Sequence, residues 1–186
     1  IIDIHGGGWM YATKDLNEYY CRELANRGFV VFSMSYRLVP DVIVPEQLQD
    51  VMAALKCISS EMKNYPCDEN SIMLTGDSAG GMMAAYSAVL LQSAELRDVF
   101  EVNAVDMNIS ALLLTSPVAY MKDGALSVYT KILWGSDYKR KNTYNYMNFD
   151  EIIDYATALP PTYLITSSGD TLARKQTQKL AALLES

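Results

Sequence analysis

Apolar residues along the chain follow two alternating patterns. Short runs such as Ile-Ile-Asp-Ile at residues 1–4 and Ser-Ile-Met-Leu-Thr at 71–75 are too brief for helices and predict buried strands. Between them apolar residues recur at helical spacing. Leu48, Val51, Met52, Leu55, Ile58 and Met62 share one face of a helix that Pro45 opens, with Glu46 in its first turn. The same reading gives strands at residues 1–4, 29–36, 71–75, 109–115 and 162–166, with Gly28 as the turn before the second. It gives helices at 15–27, 79–91 and from 173 onward. Strand then helix, repeated without internal repeat or low-complexity linker, predicts an α/β fold on a mostly parallel sheet.

From Pro117 to Leu159 the pattern turns Tyr-rich and Met-rich, with Tyr120, Tyr129, Trp134, Tyr138, Tyr144, Tyr146 and Phe149 and no strand character. Residues 117–158 are therefore expected to form a cap-like insertion over the sheet. Their aromatic side chains suit either helical packing or the wall of an acyl pocket.

Composition narrows the function classes. The 186 residues, half of them hydrophobic, suffice for one domain with a sizeable core. Lys and Arg total 15 against 22 Asp and Glu, a net charge of −7 with no basic stretch to follow a phosphate backbone, so nucleic acid is not an expected partner. Cys21, Cys57 and Cys67 form no CxxC pair and point to a reducing, cytoplasmic setting rather than a disulfide framework or a zinc site. No apolar run approaches the roughly 20 residues that span a bilayer, so stable membrane insertion is not expected. Homo-oligomerisation is left open. The chain opens on Ile1 inside a predicted strand, without an initiator Met or lead-in, and reads as a fragment.

Two motifs carry chemistry. Gly76, Asp77, Ser78, Ala79 and Gly80 spell GxSxG immediately after a strand and before an apolar helix, the context of a nucleophile elbow. The flanking glycines permit a sharp turn that exposes the serine at the strand end, near a helix N-terminus that favours negative charge. A plain turn would need no serine. The second motif is His5, Gly6, Gly7, Gly8 and Trp9, again after a strand, where glycines let backbone N–H groups approach an oxyanion. The loop lacks the spaced glycines of a dinucleotide site and the Gly-Lys-Ser/Thr end of a P-loop.

Together HGGGW at 5–9, YRLVP at 36–40, Pro45 with Asp50, and GDSAGG at 76–81 resemble the hormone-sensitive-lipase family of esterases and lipases. The resemblance implies an α/β-hydrolase fold, here truncated at both termini, with helices on both faces of the sheet. It implies a serine carboxylic ester hydrolase acting on small acyl esters through an acyl-enzyme, with Ser78 as nucleophile and Gly6, Gly7, Gly8 and Ala79 as oxyanion donors. A small-molecule ester is the implied partner, and no cofactor or metal is implied.

The family's acid falls at a later strand end, where Gly169, Asp170, Thr171 and Leu172 stand, although Thr171 replaces the family's proline. Asp170 is the candidate acid, and the C-terminal end of a strand is also where ligands sit in open α/β sheets. Asp123, after the strand at 109–115, is its rival. The general base in this fold follows the acid in the chain. The single histidine, His5, precedes both serine and acid, so the base is expected beyond Ser186 and the fragment is expected to be nearly inactive. Two alternatives remain: an amidase or formamidase, and a non-catalytic ligand-binding protein on the same scaffold.

Overall fold

The computed structural model describes residues 1–185. Five strands form one parallel sheet in the order β2-β1-β3-β4-β5: β1 (Ile2–Ile4), β2 (Phe32–Met34), β3 (Ile72–Asp77), β4 (Ile109–Thr115) and β5 (Thr162–Ile165). The chain moves from β1 to one edge, returns past β1 to β3, and then continues to the other edge. The strand order thus reverses between β1 and β3, and open α/β sheets bind ligands at such a switch point.

Strand alternation sorts the two faces. Ile2 and Ile4 pair in register with Leu74 and Gly76 and are buried on one side, whereas Asp3 pairs with Thr75 on the other. Helix α1 (Glu18–Asn26) lies on the Asp3 side, where the Tyr20 hydroxyl meets that of Thr75 at 3.3 Å. Helices α2 (Val44–Glu61) and α3 (Ala79–Leu90) pack together on the other side.

All twelve residues of α3 are buried, which explains why its sequence is apolar all round rather than striped. Small residues let it approach closely: a Cβ on Gly80 would lie 1.9 Å from the Ile4 carbonyl oxygen. Helix α2 begins as its sequence suggests, with Pro45 in the first turn and the Glu46 carboxylate accepting the Ile43 N–H at 2.8 Å.

Three expectations change. The strand expected at 29–36 shrinks to Phe32–Met34, an edge strand that is only partly buried, because Gly28 at φ +92° and the residues after it form its approach. Helix α1 starts at Glu18, since Lys14–Asn17 makes a 3-10 turn. A helix the sequence reading missed, α4 (Ala94–Phe100), is capped by the Ser93 hydroxyl, which accepts the Leu96 N–H, and it buries Leu96 and Phe100.

Residues 117–158 form 3-10 turns around one short helix, α5 (Thr130–Leu133). Tyr120, Trp134, Met147 and Phe149 are buried in the same hydrophobic cluster as α3 and α4. Trp134 meets Phe100 edge-on at 6.4 Å, and Phe149 lies 6.0 Å from Tyr86 of α3. These rings serve core packing. The last helix, α6 (Arg174–Leu184), joins this side through Gln176, whose side-chain oxygen accepts the Tyr120 N–H.

Candidate active site

The C-terminal ends of β1, β3, β4 and β5 lie along one edge of the parallel sheet, with the switch point between β1 and β3. Ser78, directly after β3, adopts φ +51° and ψ −113°, a conformation that an L-residue with a side chain adopts at a cost of about 1–3 kcal/mol. The surroundings hold it there: Ser78 N–H donates to the Thr115 carbonyl at 2.9 Å, and its own carbonyl accepts from Met82 and Val118. Gly76 and Gly80 make the turn geometrically feasible, since a Cβ on Gly76 would lie 2.5 Å from the backbone of Gly80. The Ser78 side chain makes no capping bond to its helix. Ser78 is thus a strained, half-buried serine whose side chain stands uncommitted at a helix N-terminus.

The glycine loop leaves β1 opposite this elbow. Gly7, at φ +110°, leaves room for the Tyr11 carbonyl, which a Cβ would meet at 2.1 Å, and its own carbonyl accepts from Met10 and Tyr11. Trp9, itself at φ +65°, is buried and anchors the loop's far end. Its carbonyl accepts from Val39 N–H and from the Gln47 side chain, which also reaches the Arg37 carbonyl. Arg37 in turn is gripped by Asp50, whose carboxylate accepts from both its backbone and its guanidinium. The YRLVP segment and Asp50 therefore brace the glycine loop.

One assignment is corrected here. Gly6 was expected among the oxyanion donors, but its N–H donates to Asp77 Oδ1 at 2.9 Å. Among the described residues, the N–H groups of Gly7, Gly8 and Ala79 have no protein acceptor.

His5 is fully buried. Its Nδ1 lies 2.7 Å from the Gly6 carbonyl, and its ring stacks on Tyr36 at 4.3 Å. The Tyr36 hydroxyl donates to the His5 carbonyl at 2.8 Å, and burial raises the pKa of that phenol. Burial also lowers the His5 pKa, which favours the neutral ring. Its interactions stiffen the loop rather than activate a serine.

Asp170 sits just beyond β5. Its Oδ1 accepts from Ala173 N–H at 2.8 Å and Leu172 N–H at 3.0 Å, and these bonds, with the Ser116 hydroxyl, hold its pKa below the usual value. Ser116 ties the neighbouring strand end to it, donating its N–H to Ile165 and meeting the Thr166 hydroxyl at 3.0 Å. The rival Asp123 is paired with Lys179 at 2.7 Å, and Lys179 lies over the Tyr120 ring at 3.8 Å. Its carboxylate is committed to that ion pair.

In the sequence Asp77 figures only within the elbow motif, and Asn17 and Asp3 carry no assigned role. The structure brings all three together beside Gly6. The one available signal was Asp3, an acid inside an otherwise apolar strand.

A family model described as the alpha/beta hydrolase fold matches residues 1–186. The chain belongs to the α/β-hydrolase fold family. It shares 31% identity over 151 residues with neutral cholesterol ester hydrolase 1 of Pongo abelii, covering 76% of this chain and 37% of that protein. Arylacetamide deacetylase of Bos taurus is 40% identical over 104 residues, 52% of this chain and 25% of that one. Esterase B of Lactobacillus rhamnosis, solved with a C4-C4 tributyrin phosphonate, superposes with a TM-score of 0.91 at 37% identity, covering 99% of this chain and 59% of that chain. The chain thus spans about a third of the length of the first of these relatives and about three-fifths of the esterase structure. These likenesses agree with the hormone-sensitive-lipase-like character of the motifs. Among the described residues no helix is long and apolar enough to cross a membrane.

Proposed function

We propose that the whole protein is a serine carboxylic ester hydrolase. The observation that carries this reading is the strained Ser78 at φ +51°, facing a glycine loop whose Gly7 and Gly8 N–H groups are unassigned. Ser78 Oγ attacks the ester carbonyl carbon, its proton passes to a general base, and the carbonyl oxygen becomes an oxyanion held by Gly7, Gly8 and Ala79 N–H. Collapse of that intermediate expels the alcohol, which takes the proton from the base and leaves an acyl-serine. Water, deprotonated by the same base, then releases the acid.

His5 is buried and bonded to its own loop, so the base in this proposal is a histidine outside the present sequence, oriented by Asp170. Asp170, a carboxyl whose pKa the Ala173 N–H lowers still further, is ionised at neutral pH, as the partner of an imidazolium must be. Residues 1–186 alone are therefore expected to turn over very slowly.

Met10 and Tyr11, exposed directly after the glycine loop, supply an apolar rim suited to small uncharged esters. The phosphonate bound to esterase B mimics a tetrahedral intermediate with short acyl chains, which supports the same substrate class. A second reading, amide hydrolysis, is favoured by the likeness to an arylacetamide deacetylase and uses the same residues. Expression of the protein with its natural ends, assayed on nitrophenyl butyrate and its anilide analogue, tests both. Rapid turnover of the ester that Ser78→Ala abolishes is the expected result. A folded protein inert to both substrates sinks the proposal and leaves the non-catalytic ligand-binding alternative.

A further inference from the structure

We propose that Asn17 is a positioning residue for the ester hydrolysis argued above: its side-chain amide joins the carboxylates of Asp3 and Asp77 and thereby sets the angle of the glycine loop. The inference rests on that esterase reading.

Asn17 occupies the N-cap of α1 and belongs to the residue types that favour this position by accepting an N–H from the first turn. Its side chain makes no such bond. Instead Nδ2 points into the sheet, 3.0 Å from Asp77 Oδ1 and 3.3 Å from each oxygen of Asp3. The donor end of the amide is thus spent on a pair of acids.

Asp3 is only 1% exposed and sits on β1, hydrogen-bonded to β2 on one side and β3 on the other, so its backbone cannot move. Its remaining polar contacts are the Ser33 hydroxyl at 3.3 Å and the Cys21 thiol. Asp77, at the open end of β3, is less enclosed and is the carboxylate free to turn. Two carboxylates sharing one amide repel each other if that amide is lost, and Asp77 is the one that would swing away. Oδ1 of Asp77, the atom held by Asn17, also accepts the Gly6 N–H at 2.9 Å. Rotation of Asp77 would release Gly6, and with it the direction of the next two N–H groups. Asp77 directly precedes Ser78, so one carboxylate fixes the oxyanion loop relative to the nucleophile. Because small misplacements of oriented groups cost large rate factors, the expected signature lies in kcat rather than in substrate binding.

The test uses the full-length protein and nitrophenyl butyrate, with Asn17→Ala, Asn17→Ser and Ser78→Ala beside the wild type. Asn17→Ala is expected to lower kcat about tenfold, change KM less than about twofold, and slow inactivation by a short-chain phosphonate about as much as kcat. Asn17→Ser retains a donor and should recover part of the loss. Folded Asn17 variants with unchanged kcat, or a loss confined to KM, overturn the inference while Ser78→Ala remains inactive. Full activity in Ser78→Ala overturns the esterase reading itself. Should Asn17→Ala not fold, amide exchange in the wild type decides: Gly6 must exchange more slowly than Gly7 and Gly8, and equal rates refute the linkage.

Discussion

The Asp77 carboxylate and the Gly6 backbone are fitted to one another: Oδ1 takes the Gly6 N–H at 2.9 Å, while a Cβ on Gly6 would fall 2.2 Å from Oδ2. The first glycine of the loop is thus a glycine because an acid lies across it, and its N–H is spent on that acid. Gly6→Ala should displace Asp77, destabilising the protein by about 1–3 kcal/mol and lowering kcat/KM by about a hundredfold. Denaturant unfolding and ester kinetics on the full-length variant check both.

Gly28 provides the contrast. It has φ +92° but no heavy atom near its absent Cβ. Gly28→Ala should cost about 1–2 kcal/mol through backbone strain alone and leave kcat unchanged. Gly80→Ala, whose Cβ would meet the Ile4 carbonyl oxygen at 1.9 Å, should not yield folded protein. Expression and thermal melts of the pair separate conformational strain from close packing.

The buried acid Asp3 has a pKa raised chiefly by desolvation, with the Asp77 charge adding to the shift and hydrogen bonds from Asn17, Cys21 and Ser33 opposing it. A carboxyl whose folded-state pKa exceeds its unfolded value stabilises the protein below the unfolded pKa and loses that contribution as pH rises through the folded pKa. Asp3→Asn keeps an acceptor oxygen and removes the charge, so stability should fall less between acid and neutral pH than in the wild type. Urea midpoints across that range read the difference, and parallel slopes would contradict it.

Much of this arrangement was readable in the sequence, because its signals are local. The elbow glycines, the glycine loop, and Pro45 with Glu46 at the start of α2 each act within a few residues. What escaped acts over long separations or against local preference. The Asp77–Gly6 bond joins positions 71 residues apart, and Asn17 forgoes the cap that its position suggests. Helix α4 is only seven residues long. Its Ser93 cap and the Leu96, Val99, Phe100 spacing were visible, but are brief enough to pass for a loop. The strand at 29–36 was overextended because an apolar run shows burial, not where pairing stops on a sheet edge.

Trp134 tests the place of the 117–158 segment. It is fully buried against Phe100 of α4, so Trp134→Ala should cost about 3–5 kcal/mol and shift the single unfolding transition of the whole protein. A separate early transition, with the main one unmoved, would mark the segment as an independent flap.

The central claim is that Ser78 is the nucleophile, and covalent labelling examines it most directly. The full-length protein would be treated with a short-chain alkyl phosphonate, its intact mass recorded, and the adduct mapped by peptide analysis. One phosphonyl group per chain, on the peptide carrying Ser78 and absent from Ser78→Ala, is the predicted result. A folded protein that takes up no label, or takes it up equally in Ser78→Ala, would contradict the account.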